Sequence, residues 1–148
     1  MAAPVQCRSS RAILLDPAGR VLLIRFAVTR DGVTFVFWAT PGGSVDAGET
    51  DLDAARREIK EELDVNVTLT GPVHTSINLF SHKNVLVENT DVFFVGRLGQ
   101  ADPKLHAVTD DDERAAMQVV RWWSCDEVDQ ATETIFPSDL STVIRRLI

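Results

Sequence analysis

Glu58, Glu61 and Glu62 stand three and four positions apart. On a helix of about 3.6 residues per turn their side chains leave one face, within about 100° of one another. Like charges at such spacings repel, by about a few tenths of a kcal/mol per pair in an isolated helix. Two readings follow. A solvated acidic face is the common fate of clustered glutamates. The alternative is a set of hard oxygen ligands for Mg²⁺ or Mn²⁺, in which the cation relieves the repulsion. The helix taken alone favours the first. Arg57 offsets part of the repulsion, because it sits four residues from both Asp53 and Glu61.

The wider frame reverses that preference. Gly43 is followed by five residues and Glu49, then by seven residues and Arg57-Glu58. Ile59, Lys60, Glu61-Glu62, Leu63, Asp64 and Val65 complete the run. The pattern resembles the Nudix box, GX5EX7REUXEEXGU, where U is aliphatic. Gly43, Glu49, Arg57, Glu58, Glu61 and Glu62 match its polar and glycine positions, and Ile59 and Val65 match aliphatic ones. Six fixed matches in a chain of this length arise by chance with a probability on the order of 10⁻⁵. The box covers 23 of the 148 residues, and the preceding Pro41-Gly42 also looks like family members. One position departs: Asp64 stands where the box has glycine. Glycine there supplies a left-handed helix exit, which Asp reaches less easily than Gly but more readily than most residues.

The resemblance implies an α/β/α sandwich with a mixed β-sheet between helices, and a box that forms loop, helix and loop. It implies hydrolysis of a nucleoside diphosphate linked to another moiety, with release of a nucleoside monophosphate. Carried over by position, Glu58, Glu61 and Glu62 look like ligands of Mg²⁺ or Mn²⁺, and the backbone carbonyl of Gly43 like a further ligand. Glu49 and Arg57 look like the pair that holds the loop and orients the glutamates. Glu61 or Glu62 would accept the proton of the attacking water. Several members add a carboxylate from a later loop; Glu113 is the candidate here, with Asp112 second, and a solvated loop is the competing account of that acidic run. The chemistry agrees with this inventory. A polyanionic phosphoanhydride repels a nucleophile until its oxygens are neutralised, which a divalent cation does while it acidifies water.

The box does not name the substrate. ADP-ribose-cleaving members often carry a proline beyond the box, where this chain has Phe80-Ser81-His82; enzymes of dinucleoside polyphosphates often carry a later tyrosine, and this chain has none. The upstream signature of coenzyme A-cleaving members is missing as well. A non-catalytic Nudix-fold nucleotide sensor is the chief alternative, and the retention of every box glutamate argues against it. An isoprenoid isomerase of the same superfamily needs a cysteine and a glutamate at another site, which Cys7 and Cys125 do not supply.

The elements that must hold these residues are legible in outline. Arg11–Asp16 and Val21–Val28 read as strands joined at Asp16-Pro17-Ala18-Gly19, and Val33–Trp38 as a third after Asp31-Gly32. Thr50–Leu63 reads as the helix, with Thr50 as N-cap and Asp53 closing a capping box. Leu52, Ala55, Ile59 and Leu63 form its buried stripe. Val65–Leu69, Val73–Phe80, Thr90–Leu98 and Gln118–Trp123 read as strands. Ser124 and Glu127 cap a short helix, and a last helix spans Ser138–Leu147. Of Trp122 and Trp123, alternation sends one to the core. Phe37, Trp38, Phe80 and Phe94 are ambiguous between core and base stacking, and Arg25 and Arg30 between surface and substrate phosphate.

Bulk properties are consistent with one domain over residues 1–148. The chain is 45% hydrophobic and 25% charged, with mean hydropathy near zero. The net charge of −7 argues against a nucleic-acid polymer as partner and leaves room for a small nucleotide-type substrate. Twelve of the fifteen basic residues are Arg, which suits phosphate but is equally a compositional bias. No apolar run is long enough for a bilayer and no leader pattern opens the sequence, so the expectation is a cytoplasmic protein without membrane contact. Cys7 and Cys125 are expected as free thiols. A homodimer is compatible with all of this.

Overall fold

Ala12, Ile13, Leu14 and Leu15 follow one another without a polar residue, and all four are fully buried. A strand covered on both faces needs such a run rather than an alternation. Two apolar layers result. The computed structural model describes residues 3–99 and 117–148. Within them β1 (Val5–Leu15), β2 (Val21–Arg30), β3 (Val33–Ala39) and β4 (Gly42–Ser44) precede helix α1 (Asp51–Leu63). Then come β5 (Leu69–His82), β6 (Val85–Arg97), β7 (Met117–Trp123), α2 (Cys125–Asp129), β8 (Thr134–Phe136) and α3 (Leu140–Leu147).

The strands form one mixed sheet in the order β5-β6-β1-β2-β3-β8, with β4 paired to β1 and β7 paired to β2. β1 runs parallel to β6, and β3 parallel to β8; the other pairings are antiparallel. On one face Ala12, Leu14, Leu22, Ile24, Val92 and Phe94 meet Ala55, Ile59 and Leu63 of α1. On the other, Ile13, Leu15, Leu23, Phe93 and Trp123 meet Leu140, Val143 and Ile144 of α3. The sheet is thus sandwiched, and α1 is held by the apolar stripe that its spacing implied.

The β1–β2 pairing registers at Leu15–Val21. Beyond it the free edge of β1 takes β4 at Ser9, Ser10 and Arg11, opposite the edge that β6 occupies. The glycines before the helix are therefore stitched to a central strand rather than left in a loop.

Several expectations shift. β1 starts at Val5 instead of Arg11, because the parallel β6 accompanies it along its whole length. Val65–Thr68 is irregular and the strand opens only at Leu69. β5 and β6 are 14 and 13 residues long and make one extended hairpin. The short strands β4 and β8 carried no pattern of their own in the sequence. Thr50 Oγ1 accepts the Asp53 N–H at 3.1 Å as expected, but Asp53 reaches toward Arg56 at 3.9 Å rather than toward Arg57. At Ser124 and Glu127 the full capping box forms. Among the described residues no helix is long and apolar enough to cross a membrane.

Candidate active site

β1 anchors everything that surrounds the box helix. The Ala12 N–H donates to the Pro41 carbonyl at 2.9 Å and the Val45 N–H to the Arg8 carbonyl at 3.0 Å. Ser10 Oγ donates to the carbonyl of Asp51 at 2.6 Å, and Arg8 grips the Asp51 carboxylate with two bonds of 2.7 Å. These contacts fix where α1 begins relative to β4. At the far end Asp64 adopts the left-handed conformation, φ 53° and ψ 42°. Its N–H caps the Lys60 carbonyl at 3.0 Å, so the chain leaves the helix by the turn that glycine usually makes.

With the helix so placed, the three glutamates do not share one environment. Glu58 and Glu62 are 7% and 1% exposed, while the side chain of Glu61 is 51% exposed. Glu62 Oε1 accepts the Gly42 N–H at 2.8 Å. Glu58 lies against Gly43 so closely that a Cβ there would stand 2.6 Å from its carboxyl carbon. Gly42, with φ +148°, would place a Cβ 2.4 Å from the Ser10 carbonyl oxygen. Gly42 is a steric necessity, since a side chain there would meet the backbone of β1, whereas Gly43 leaves the room in which the Glu58 carboxyl lies on β4.

Arg57 is the hub. Its Nε and Nη2 donate to the two oxygens of Glu49 at 2.8 and 3.0 Å. Nη2 also reaches the Ser44 carbonyl at 3.0 Å, and Nη1 reaches Glu58 at 3.0 Å and Glu61 at 3.4 Å. Asp46 lies 3.4 Å from the same guanidinium. The Asp46 N–H donates to Glu49 at 2.9 Å, which closes the loop. The bonds from Arg57, and next that from the Asp46 backbone, hold the Glu49 carboxyl down at about 2. The same pairing with Glu49 raises Arg57 above the ordinary guanidinium value.

Four carboxyl groups, those of Asp46, Glu49, Glu58 and Glu61, thus surround one guanidinium, while that of Glu62 is held by the Gly42 N–H. The side chains do not yet form a cage: among the described residues no three acidic, histidine or cysteine side chains stand together at metal-ligand spacing. Arg57 Nη1 lies between Glu58 and Glu61. The donor set itself fits a small divalent cation, being hard oxygen throughout, with the Gly43 cradle clearing space for Glu58.

Of the sequence candidates, Gly43, Glu49, Arg57, Glu58, Glu61 and Glu62 come together here. Glu113 and Asp112 lie outside the described residues. Trp123 is buried and Trp122 packs on the α1-side core; Trp38 and Phe94 are also core. Arg25 is bound to Glu133 at 3.1 and 2.7 Å, away from the box. The side chain of Arg30 is not among those described. Cys7 and Cys125 are free.

Sequence reasoning missed a cleft of about 660 Å³ that Ser44 borders. Arg11, Asn78, Asn89 and Asp91 line it, as do Phe37, Phe80 and Phe136. No local spacing signals these residues, because they come from strands far apart in the chain.

Known proteins resemble the chain in the way this geometry suggests. Similar solved structures include the MutT protein from Methanosarcina mazei Go1, 19% identical, with a TM-score of 0.71 and coverage of 99% of this chain and 95% of that one. The E. coli dihydroneopterin triphosphate pyrophosphohydrolase is 21% identical with a TM-score of 0.67, covering 95% and 94%. The NUDIX domain of Shewanella oneidensis NrtR, solved with ADP-ribose, is 18% identical with a TM-score of 0.66, covering 100% and 91%. At these identities the likeness is one of fold. No curated protein sequence matches. The family model of the NUDIX domain matches residues 6–145, which is nearly the whole chain and includes every box residue described above; the chain belongs to the Nudix family.

Proposed function

We propose that this protein is a Mg²⁺- or Mn²⁺-dependent pyrophosphohydrolase that cuts a phosphoanhydride bond in a nucleoside diphosphate linked to another moiety, releasing a nucleoside monophosphate. The observation that carries the reading is the gathering of the box glutamates between Arg57 and β4, with Glu62 on the Gly42 N–H, Glu58 between Arg57 and Gly43, and Glu61 on Arg57 at the rim.

The residues divide the work by their positions. Glu58, Glu61 and Glu62, with the Gly43 carbonyl, would hold the cation, and Glu113 is a further candidate ligand from the sequence. When bound, the cation would neutralise phosphate oxygens and acidify water. Glu49 anchors Arg57, and Arg57 aims Glu58 and Glu61. Glu61 is the better placed proton acceptor, because it is half-exposed whereas Glu62 is buried and spends one oxygen on Gly42. Water oxygen attacks one phosphorus, its proton passes to Glu61, and the bridging oxygen leaves with the electron pair of the broken P–O bond. Positioning and fixed charge supply most of the rate gain in such a transfer.

The test is a panel of nucleoside diphosphate derivatives and nucleoside triphosphates, assayed with Mg²⁺ and with Mn²⁺ for release of nucleoside monophosphate and phosphate. Glu61→Gln should lower kcat by about three powers of ten or more with an unchanged melting temperature. A variant that turns over as fast as wild type would defeat the assignment. The NrtR domain, which shares the fold, was solved with ADP-ribose; a second reading is that the chain binds such a nucleotide derivative without cleaving it. Tight binding with no product from any substrate would select that one.

A further inference from the structure

β5 is the outermost strand of the sheet, and among the described residues no strand pairs with its outer edge. An open edge is a row of unpaired N–H and C=O groups, which folded proteins commonly blunt with charge, proline or a bulge. Pro72 and the register shift between Thr70 and His74 do this at one end of β5. No proline, charge or second shift follows as far as His82. Between Asp64 and Lys83 stand eighteen residues without one Asp, Glu, Lys or Arg. A chain that is 25% charged would place about four there. The net charge of −7 is therefore carried wholly by other parts of the chain.

The side chains at this edge are apolar as well. Of the eleven exposed large hydrophobic residues among those described, five belong to the β5–β6 hairpin: Ile77, Leu79, Phe80, Val85 and Leu86. Ile77 lies opposite Thr90, Leu79 opposite Glu88 and Ser81 opposite Leu86, so Ile77, Leu79 and Leu86 share one face. It is the face that carries α1, because Thr90 registers with Arg8, which holds Asp51. The helix leaves them open, at 64%, 60% and 43% exposed. At about 200 Å² for a large side chain in the open, they offer about 300 Å² of apolar surface per copy. With the unpaired backbone of β5 added, this reaches the low end of specific interfaces, about 600 Å² per partner.

From this uncharged, apolar and unpaired edge we infer that β5 is where two copies of the chain join, edge to edge and antiparallel about a two-fold axis, so that one sheet runs through both. A second copy is the occupant that fits. It brings the same charge-free strand, whereas the rest of the surface carries the net charge of −7 and repels a copy. The edge also offers no charge by which a different partner would be selected. The ends of the open stretch fix the axis. Pro72 and the shifted register bound it at His74, and the Lys83-Asn84 turn, with φ of 51° and 64°, bounds it at His82. Its middle is Asn78. An axis there sets Asn78 opposite the partner's Asn78, and Ile77 opposite the partner's Leu79. Ile77 and Leu79 of the two copies then close into one apolar cluster over the axis. Glu88, one strand further in on each side, stays about 14 Å from its counterpart, beyond the screening length at physiological salt.

The experiment is sedimentation equilibrium of the full chain, without metal or nucleotide, from about 1 to about 300 µM. The mass should rise from 16.4 kDa toward twice that value, with half of the chains paired near about 30 µM. Ile77→Lys puts a charge opposite the partner's Leu79 at an exposed position. It should keep the wild-type circular dichroism and melting temperature at about 1 µM, where wild type is also monomeric, and weaken pairing by about a hundredfold or more. Asn78→Cys, made together with Cys7→Ser to remove the exposed thiol, brings two thiols together across the axis, on Cβ atoms about 4.5–5.5 Å apart. It should give a disulfide-linked dimer on a non-reducing gel after treatment with diamide, and Val119→Cys, at an exposed position of β7, should not. A chain that stays at 16.4 kDa throughout, or a dimer that Ile77→Lys leaves intact, would overturn the inference. A dimer that Ile77→Lys abolishes but Asn78→Cys does not link would overturn the two-fold edge pairing. None of these readouts involves hydrolysis, so they stand apart from the test of the enzyme.

Discussion

At Arg57 a single guanidinium holds Glu49 through two bonds and also touches Glu58, Glu61 and the Ser44 carbonyl. Its removal should act on several side chains at once. Arg57→Ala is expected to lower kcat by about two to three powers of ten. In the same variant the Glu49 carboxyl should climb from about 2 toward the ordinary 4.5, as read by a carbon-13 NMR titration. A Glu49 that still titrates near 2 would show that the backbone of Asp46 holds it instead. Gly43 offers a cleaner separation of site from fold. Its backbone tolerates a side chain, but the new methyl would meet the Glu58 carboxyl at 2.6 Å. Gly43→Ala should therefore displace Glu58, abolish most turnover and cost about 1–2 kcal/mol of stability at most. If activity survives intact, Glu58 does not work where it now lies.

Helix α1 shows what one element contributes. Its caps and apolar stripe were legible because capping and periodicity are local properties that a stretch of 14 residues already contains. The departure at Asp64 was legible too, and the residue does take the left-handed turn with φ 53°. That conformation is strained for a side chain and natural for glycine, while the Lys60–Asp64 ion pair is exposed at both ends and contributes little. Asp64→Gly should thus change stability by less than about 1 kcal/mol, in the stabilising direction. A large fall in melting temperature would reveal an essential contact of Asp64. The helix wheel puts the three glutamates on one face but says nothing of depth: β4 covers Glu58 and Glu62 and leaves Glu61 outside. Nothing within the helix could have told them apart.

For the molecule as a whole, depressed carboxyls link stability to acid: Asp51, Glu127 and Asp129 are lowered by their hydrogen-bond partners, and two more, Glu49 and Glu133, are shifted far. Glu49 is held at about 2 by Arg57 and Asp46, and Glu133 at about 2 by Arg25 and next by the Trp38 indole N–H at 2.9 Å. A carboxyl whose folded value is depressed binds its proton more readily in the unfolded chain. Its contribution is complete above about 4.5 and disappears as pH falls through about 2. Acid unfolding followed by circular dichroism should show stability falling through that window. Arg57→Ala and Arg25→Ala should each flatten the fall, since each releases one of the two carboxyls. A profile identical in all three proteins would show that other groups govern it.

The order of residues along the chain was sufficient for the box, its helix and the family resemblance, since those depend on types and spacings within 23 residues, which the backbone geometry of a helix converts directly into direction. What lies across the sheet was not encoded that way. Asp91 meets Arg11 over 80 residues, and Glu62 meets Gly42 only because β4 pairs with β1. Such contacts are set by strand order and register, where a slip of one residue would turn every side chain to the opposite face. Which glutamate is buried and what the cleft presents are therefore properties of the folded sheet alone.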